Sequence, residues 1–144
     1  MKALEKIALY VDASEEGQRA IHAAIRLSTL SGATIVAVAV INRTVVTQLS
    51  RASGKSIAEI EVELEENAWH YLYAAEQEAK DANARIVVTL ENGFPEEVLP
   101  RLMNEYNVDM LVLGMSERVR QEPARRRLLE QMIEHAPCCV LVVK

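Results

Sequence analysis

The residues best suited to chemistry are five arginines between positions 118 and 127, shortly after the isolated glycine Gly114. The stretch LVLGMSERVRQEPARRRLLEQM indicates a buried strand, a glycine, a charged loop and a helix. That order is typical of phosphate-binding loops, although most of their small residues are missing here. Arg118, Arg120 and Arg125 could bind phosphate through their guanidinium groups. The simpler alternative, which we favour, is an exposed basic loop with Pro123 starting the last helix.

Other side chains that often carry catalysis are too scattered to form a recognisable site. His22, His70 and His135 fall on different predicted helices, with no serine, cysteine or acid at a spacing typical of a triad or a metal motif. Cys138 and Cys139 are adjacent, which suits neither a disulfide framework nor a zinc site, and we expect two buried thiols at a strand start. The sequence therefore predicts neither catalytic residues nor a metal site.

The known nucleotide fingerprints are also missing. The five glycines, at positions 17, 32, 54, 93 and 114, are isolated from one another, so there is neither a P-loop nor a dinucleotide-binding fingerprint. The glutamates at 59, 61, 63, 65 and 66 are more simply explained as the solvated face of a helix than as a metal cluster. Any ligand site must use other groups.

Composition limits the class of protein. A chain of 144 residues, half of them apolar, fits one domain over residues 1–144 with a real core. Its formal charge of −5 argues against nucleic acid as a partner, because phosphate neutralisation needs a clustered positive surface. No apolar run could cross a bilayer and the N-terminus lacks a signal peptide, so we expect no membrane association and a cytoplasmic location.

The hydrophobic pattern alternates between strands and helices. Apolar runs rich in β-branched residues predict buried parallel strands, and apolar residues at helical spacing predict the helices between them. A capping box begins the longest helix at Ser56, and Pro100 inside the next helix predicts a kink or a late start. The strands are predicted at 6–11, 33–41, 84–90, 109–114 and 139–144, the helices at 14–31, 57–79, 93–106 and 123–135, and a polar, turn-like segment at 42–55. Five strands alternating with four helices imply a doubly wound parallel sheet with helices on both faces.

In such a sheet, ligands bind at the carboxyl ends of the strands. Three loops follow predicted strands there, after Val11, Ile41 and Leu113. In the first loop, Asp12 could accept hydrogen bonds from a ribose or a base, or it could only cap the first turn of the following helix. Both roles stay open, whereas Ser14 is interpreted mainly as a helix cap.

Three parts of the sequence resemble the universal stress protein family. IALYVDASEEGQRAIHAAIRLSTLSGATIVAVAVI is similar to the opening of those proteins, and VDMLVLG with LLEQMIEHAPCCVLVVK is similar to their C-terminal third. The middle stretch ENGFPEEVLPRLMNEYNVDMLVLG supports the likeness, which covers nearly the whole chain. The resemblance implies a three-layer, flavodoxin-like or Rossmann-like fold with strand order 3-2-1-4-5. It also implies a homodimer through the C-terminal strand, where CVLVV would otherwise leave an exposed apolar edge at 139–143.

The resemblance also implies a ligand site. In ATP-binding members of the family, an aspartate after the first strand and a valine of the second strand hold adenosine, and Asp12 and Val40 match them. Their phosphates lie on a loop of the form G-x2-G-x9-G-[ST]; Gly114 matches its first glycine, but Glu117 stands at the second. Residues 126 and 127, both arginine, stand at the final pair. A carboxylate at 117 would repel a triphosphate, so the loop departs from the ATP-binding pattern.

Three functions are consistent with these features. We favour a non-catalytic, dimeric stress-response module with weak or absent ATP binding, which acts through protein partners or a bound ligand. The alternative is a regulatory module that binds ATP or AMP with an arginine-based phosphate site. Its binding residues would be Asp12, Val40, Gly114, Arg118, Arg120 and Arg125. A third possibility is an adenine-nucleotide hydrolase or pyrophosphatase of similar topology, but VDASEEG lacks the serine- and glycine-rich loop that such enzymes need after the first strand.

Overall fold

The computed structural model describes residues 3–13 and 17–144 and shows a single five-stranded sheet. All of its strand pairs are parallel, and the strand order is 3-2-1-4-5, as the family resemblance implies. In the part of the chain that is described, five strands and six helices follow one another. They are β1 Lys6–Tyr10, α1 Gln18–Ser31, β2 Thr34–Asn42, α2 Arg43–Ser53, α3 Ile57–Asp81, β3 Arg85–Gly93, α4 Pro95–Glu105, β4 Met110–Gly114, α5 Glu117–Arg120, α6 Pro123–His135 and β5 Cys139–Val143.

Helices cover both faces of the sheet, so the protein has three layers and two apolar cores. On one face, Ile7, Leu9 and Ile35 of the sheet pack with apolar residues of α1, α2 and α3. On the other face, Leu111 and Leu113 pack with residues of α4, α5 and α6. This explains why the strands at the centre have near-continuous apolar sequences rather than alternating ones, since both of their faces are buried. The predicted fold class is therefore confirmed.

The first helix, α1, is described from Gln18, and Gly17 at its N-cap position makes no side-chain capping hydrogen bond. The predicted cap Ser14 lies outside the described residues. Gly17 instead allows a close approach, because a Cβ atom there would lie only 3.2 Å from the Asp12 carbonyl oxygen. A larger residue at position 17 would therefore press against the backbone of Asp12.

The prediction of a turn-like segment at 42–55 is wrong, because α2 occupies most of it. The Asn42 side chain accepts a hydrogen bond from the Thr44 N–H at 3.0 Å and so caps the helix. Val46 is the buried residue of this helix, and Gly54 ends it in the left-handed conformation with φ of 75°. One buried apolar position in eleven residues gives too weak a periodic signal to predict a helix from the sequence.

Prolines and caps set the ends of the other helices. The Ser56 hydroxyl accepts a hydrogen bond from the Glu59 N–H at 3.2 Å, as the capping box predicts. Of the two outcomes predicted from Pro100, a kink or a late start of α4, the late start does not occur, since Pro95 is in the first turn and Pro100 lies within the helix. Pro123 begins α6, as predicted, and the loop before it contains the short helix α5, which the sequence did not indicate.

The two cysteines are not both buried, contrary to the prediction. Cys138 is partly buried beside Met103, whereas Cys139 is exposed and its thiol donates to the Asp109 carbonyl oxygen at 3.2 Å. The reason is topological: β5 is an edge strand, so the residues at its start lack a neighbouring strand on one side. Among the described residues, no helix is both long and apolar enough to span a membrane.

Candidate functional site

A cavity of about 410 Å³ opens at the carboxyl ends of β1 and β2. Its walls come from the strand ends, from α2 and α3 on one side, and from the start of α6 on the other. Asp12 and Val40, the two residues that the family resemblance assigns to adenosine, both line it. The volume lies within the range typical of small-molecule sites, about 300–1,000 Å³, and most of the lining is apolar.

An ion pair crosses this cavity. The Arg125 Nη2 atom donates a short hydrogen bond to Oδ2 of Asp12, and its Nη1 atom lies 3.3 Å from Oε2 of Glu122. The side chains of Arg125 and Asp12 are 30% and 33% exposed, so the pair is about one-third open to solvent. Partial burial works to lower the pKa of Arg125, but the carboxylates of Asp12 and Glu122 outweigh it and raise the pKa above its ordinary value. The Arg125 side chain is therefore always protonated and gives the cavity wall a positive charge.

Tyr10 and Glu96 line the same cavity. Burial raises the pKa of the Tyr10 phenol above its ordinary range; the charges of Asp12 and Glu96 add to this effect, and that of Arg125 opposes it. The phenol therefore stays protonated at neutral pH. Glu96, from the first turn of α4, brings a second carboxylate toward the ligand space and so limits how much negative charge a ligand can place there.

Three of the six predicted binding residues meet in this cavity and three do not. Asp12, Val40 and Arg125 line it, whereas Gly114, Arg118 and Arg120 are not among its lining residues. Gly114 pairs with Val143 in the sheet, and the Nε atom of Arg118 lies 4.0 Å from Oε1 of Glu122. Only half of the predicted binding residues therefore line the cavity.

A second cleft, of about 380 Å³, lies next to the cavity on the surface formed by α5 and α6. Arg120, Arg126 and Arg127 line it, together with Glu130, and Arg126 donates to the Glu130 carboxylate at 2.8 Å. Arg127 lines both the cleft and the cavity. The arginine-rich segment thus contributes Arg125 to the cavity, Arg127 to both the cavity and the cleft, and Arg120 and Arg126 to the outer cleft alone.

Sequence reasoning did not identify several polar residues of the cavity. Gln48 and Asn67 come from α2 and α3, and Glu96 comes from α4. Asn42, in the loop that follows the second predicted strand, lines the cavity and also caps α2. A signal was present for Glu96, since it follows the carboxyl end of β3 at the start of a helix. Gln48 and Asn67 gave none, because both lie inside helices.

The histidines stay apart, as their sequence positions predict. His22 lies on α1, His70 on α3 and His135 on α6, and Nε2 of His22 lies 3.2 Å from Oε2 of Glu78 on the protein surface. Across residues 3–13 and 17–144, no group of three or more histidine, cysteine or acidic side chains could hold a metal ion. The cavity, with its single arginine–aspartate pair, is the best candidate site in this part of the chain.

The fold is that of a doubly wound α/β protein, and the cavity at the carboxyl edge of its sheet is a candidate ligand site. The chain belongs to the universal stress protein family, whose model matches residues 3–144. No curated protein sequence matches it.

Several solved structures share the fold. The hypothetical protein MJ0577 superposes with a TM-score of 0.81 at 20% identity, over 99% of this chain and 97% of that chain. A universal stress protein in complex with cAMP gives 0.71 at 20% identity, over 99% and 98% of the two chains. The universal stress protein from Archaeoglobus fulgidus in complex with dAMP also gives 0.71, at 17% identity over 99% and 100%.

Proposed function

We propose that this chain is a non-catalytic module that binds an adenine nucleotide in the cavity at the ends of β1 and β2. The observation that carries the proposal is the meeting of Asp12, Val40 and Arg125 around one cavity of about 410 Å³. Asp12 follows β1, Val40 lies in β2 and Arg125 lies in α6, so three separate parts of the sequence line one cavity. Two proteins of the same fold in complex with cAMP and with dAMP support an adenine-containing ligand.

The charges favour a nucleoside monophosphate over a triphosphate. The apolar walls suit a base, Asp12 can accept hydrogen bonds from ribose hydroxyls, and Arg125 can bind one phosphate. Additional phosphates would meet the carboxylate of Glu96 in the cavity wall and that of Glu122 beside Arg125, and position 117 has a glutamate where the family's phosphate loop has a glycine. We therefore expect AMP to bind more tightly than ATP.

The test is calorimetric titration of nucleotide-free protein with AMP and ATP. We expect saturable AMP binding that weakens at least about tenfold in Ala124→Trp, because Ala124 is an exposed residue of the cavity rim and an indole there would fill ligand space. Glu134→Trp is the matched control, since Glu134 is exposed on the same helix and is not a lining residue. Absence of heat with either nucleotide at concentrations up to about 1 mM would refute the proposal. ATP hydrolysis that Asp12→Ala abolishes would refute the non-catalytic part.

We further propose that two copies pair through β5, as the sequence predicts. This strand is at one edge of the sheet, and its apolar residues Val140, Leu141 and Val142 are only partly covered or exposed. The Met115 N–H donates to the Val143 carbonyl oxygen, so the backbone groups of Val143 point toward β4. Because these directions alternate along a strand, the N–H groups of Val140 and Val142 point outward and can pair with a second copy.

A proline substitution can disrupt the pairing of two β5 strands without disrupting the fold of each copy. Val142→Pro removes an outward N–H and leaves the bonds to β4 in place, so we expect a dimeric protein to become monomeric at micromolar concentration. Val142→Thr keeps the N–H and similar side-chain volume and should stay dimeric. Light scattering after size-exclusion chromatography measures both masses. A monomeric parent protein would disprove the dimer, and a dimeric Val142→Pro would place the interface elsewhere.

A further inference from the structure

The same Asp12 carboxylate that the proposed nucleotide site offers to ribose is already bound to Arg125. A ligand that uses Asp12 must therefore displace or share this guanidinium. We propose that Arg125 acts as an internal competitor of the ligand, so that the site accepts nucleotides but disfavours nucleosides. This inference concerns the selectivity of the proposed adenine-nucleotide site and depends on its existence.

The selectivity follows from the exchange of charged partners. When adenosine binds Asp12, Arg125 loses a carboxylate partner in a site that is only about one-third exposed, and the ligand offers no anion in return. When AMP binds, its phosphate can replace the carboxylate, so the guanidinium keeps an anionic partner. The phosphate thus contributes its own contact with Arg125, and by binding this guanidinium it also frees the Asp12 carboxylate to bind the ribose.

The contacts of Arg125 allow this exchange without a change of fold. Arg125 lies in the first turn of α6, on a helix that begins at Pro123, and the long side chain can rotate about several bonds. Glu122, one turn away, also contacts the guanidinium through Nη1 and can keep it in the cavity wall after Asp12 is released. The exchange therefore needs a change of side-chain rotamer and no movement of the backbone.

The neighbouring arginine provides a control for charge alone. Arg126 follows Arg125 on α6 but binds Glu130 at 2.8 Å, on the outer surface. It lines the second cleft and not the cavity. Arg125→Gln and Arg126→Gln therefore change the net charge equally, while only the first removes the competitor of Asp12.

The experiment measures dissociation constants of AMP and adenosine for the parent protein and both variants, with circular dichroism to verify folding. In Arg125→Gln we expect AMP affinity to fall on the order of 10- to 100-fold and adenosine affinity to rise roughly fivefold. The preference for AMP should therefore largely disappear. Arg126→Gln should change both constants less than about twofold, because its side chain faces the outer cleft.

The rise in adenosine affinity is the decisive result. If Arg125→Gln weakens AMP but leaves adenosine unchanged or weaker, Arg125 is only a phosphate ligand and the competition is disproved. If both affinities stay as in the parent, Arg125 has no role in the site. If neither ligand binds the parent or either folded variant, the proposed function itself fails, and the selectivity fails with it.

Discussion

Leu9→Ala is expected to lower the free energy of unfolding by about 3 kcal/mol, within the range of about 2–5 kcal/mol that such changes cost in protein cores. Leu9 is fully buried in β1, the central strand, where its register partners are Ala37 of β2 and Val112 of β4. Neither neighbour can move to fill the space, because each is fixed by hydrogen bonds within the sheet. The substitution therefore loses apolar contacts and leaves a cavity as well.

The matched control is Leu30→Ala, which removes the same atoms from a leucine that is 80% exposed near the end of α1. Its cost should be below about 0.5 kcal/mol, since little surface is buried and alanine favours helices. Urea unfolding followed by circular dichroism gives both free energies, provided that the slopes are equal. Similar midpoints for the two variants would contradict the packing described for the centre of the sheet.

The alternation of apolar runs and helical periodicity was enough to predict the fold class. Each strand that is buried on both faces carries a dense apolar run, and each long helix carries its own apolar stripe, so local pattern and tertiary burial agree. The same logic failed for α2, where one buried residue, Val46, gave no periodic signal. The strand order came from the family resemblance, because alternation alone does not fix it.

The candidate site was only partly predictable, for a geometric reason. Asp12 follows from its position at the end of a strand, since parallel strand ends share one edge of the sheet, whereas Val40 was implied only by the family resemblance. The positions of the arginine side chains could not be predicted in this way, because they depend on where a helix begins inside an irregular loop. Pro123 starts α6 so that Arg125 reaches the cavity, whereas Arg118 and Arg120 belong to α5. The positions of these three arginines along the sequence alone did not show which of them lines the cavity.

Asp12→Ala is expected to weaken ligand binding strongly. It removes the acceptor proposed for the ribose, so affinity for AMP and for adenosine should both fall on the order of 10- to 100-fold. This differs from Arg125→Gln, for which the two ligands should change in opposite directions. Calorimetry of the same two ligands therefore distinguishes a residue that binds the ribose from one that competes for it.

The same variant should also lower stability, because Arg125 loses its Asp12 partner inside a partly closed cavity. We expect a cost of about 1 kcal/mol, between that of an exposed pair and that of a buried one. Glu130→Ala is the control, since it breaks the exposed pair with Arg126 and should cost less than about 0.5 kcal/mol. The double variant Asp12→Ala with Arg125→Gln should be more stable than the sum of the single changes predicts, because the cation that loses its Asp12 partner is then absent as well. Strict additivity in urea unfolding would show that the two side chains are not coupled in solution, and the competition proposed for Arg125 would then lose its physical basis.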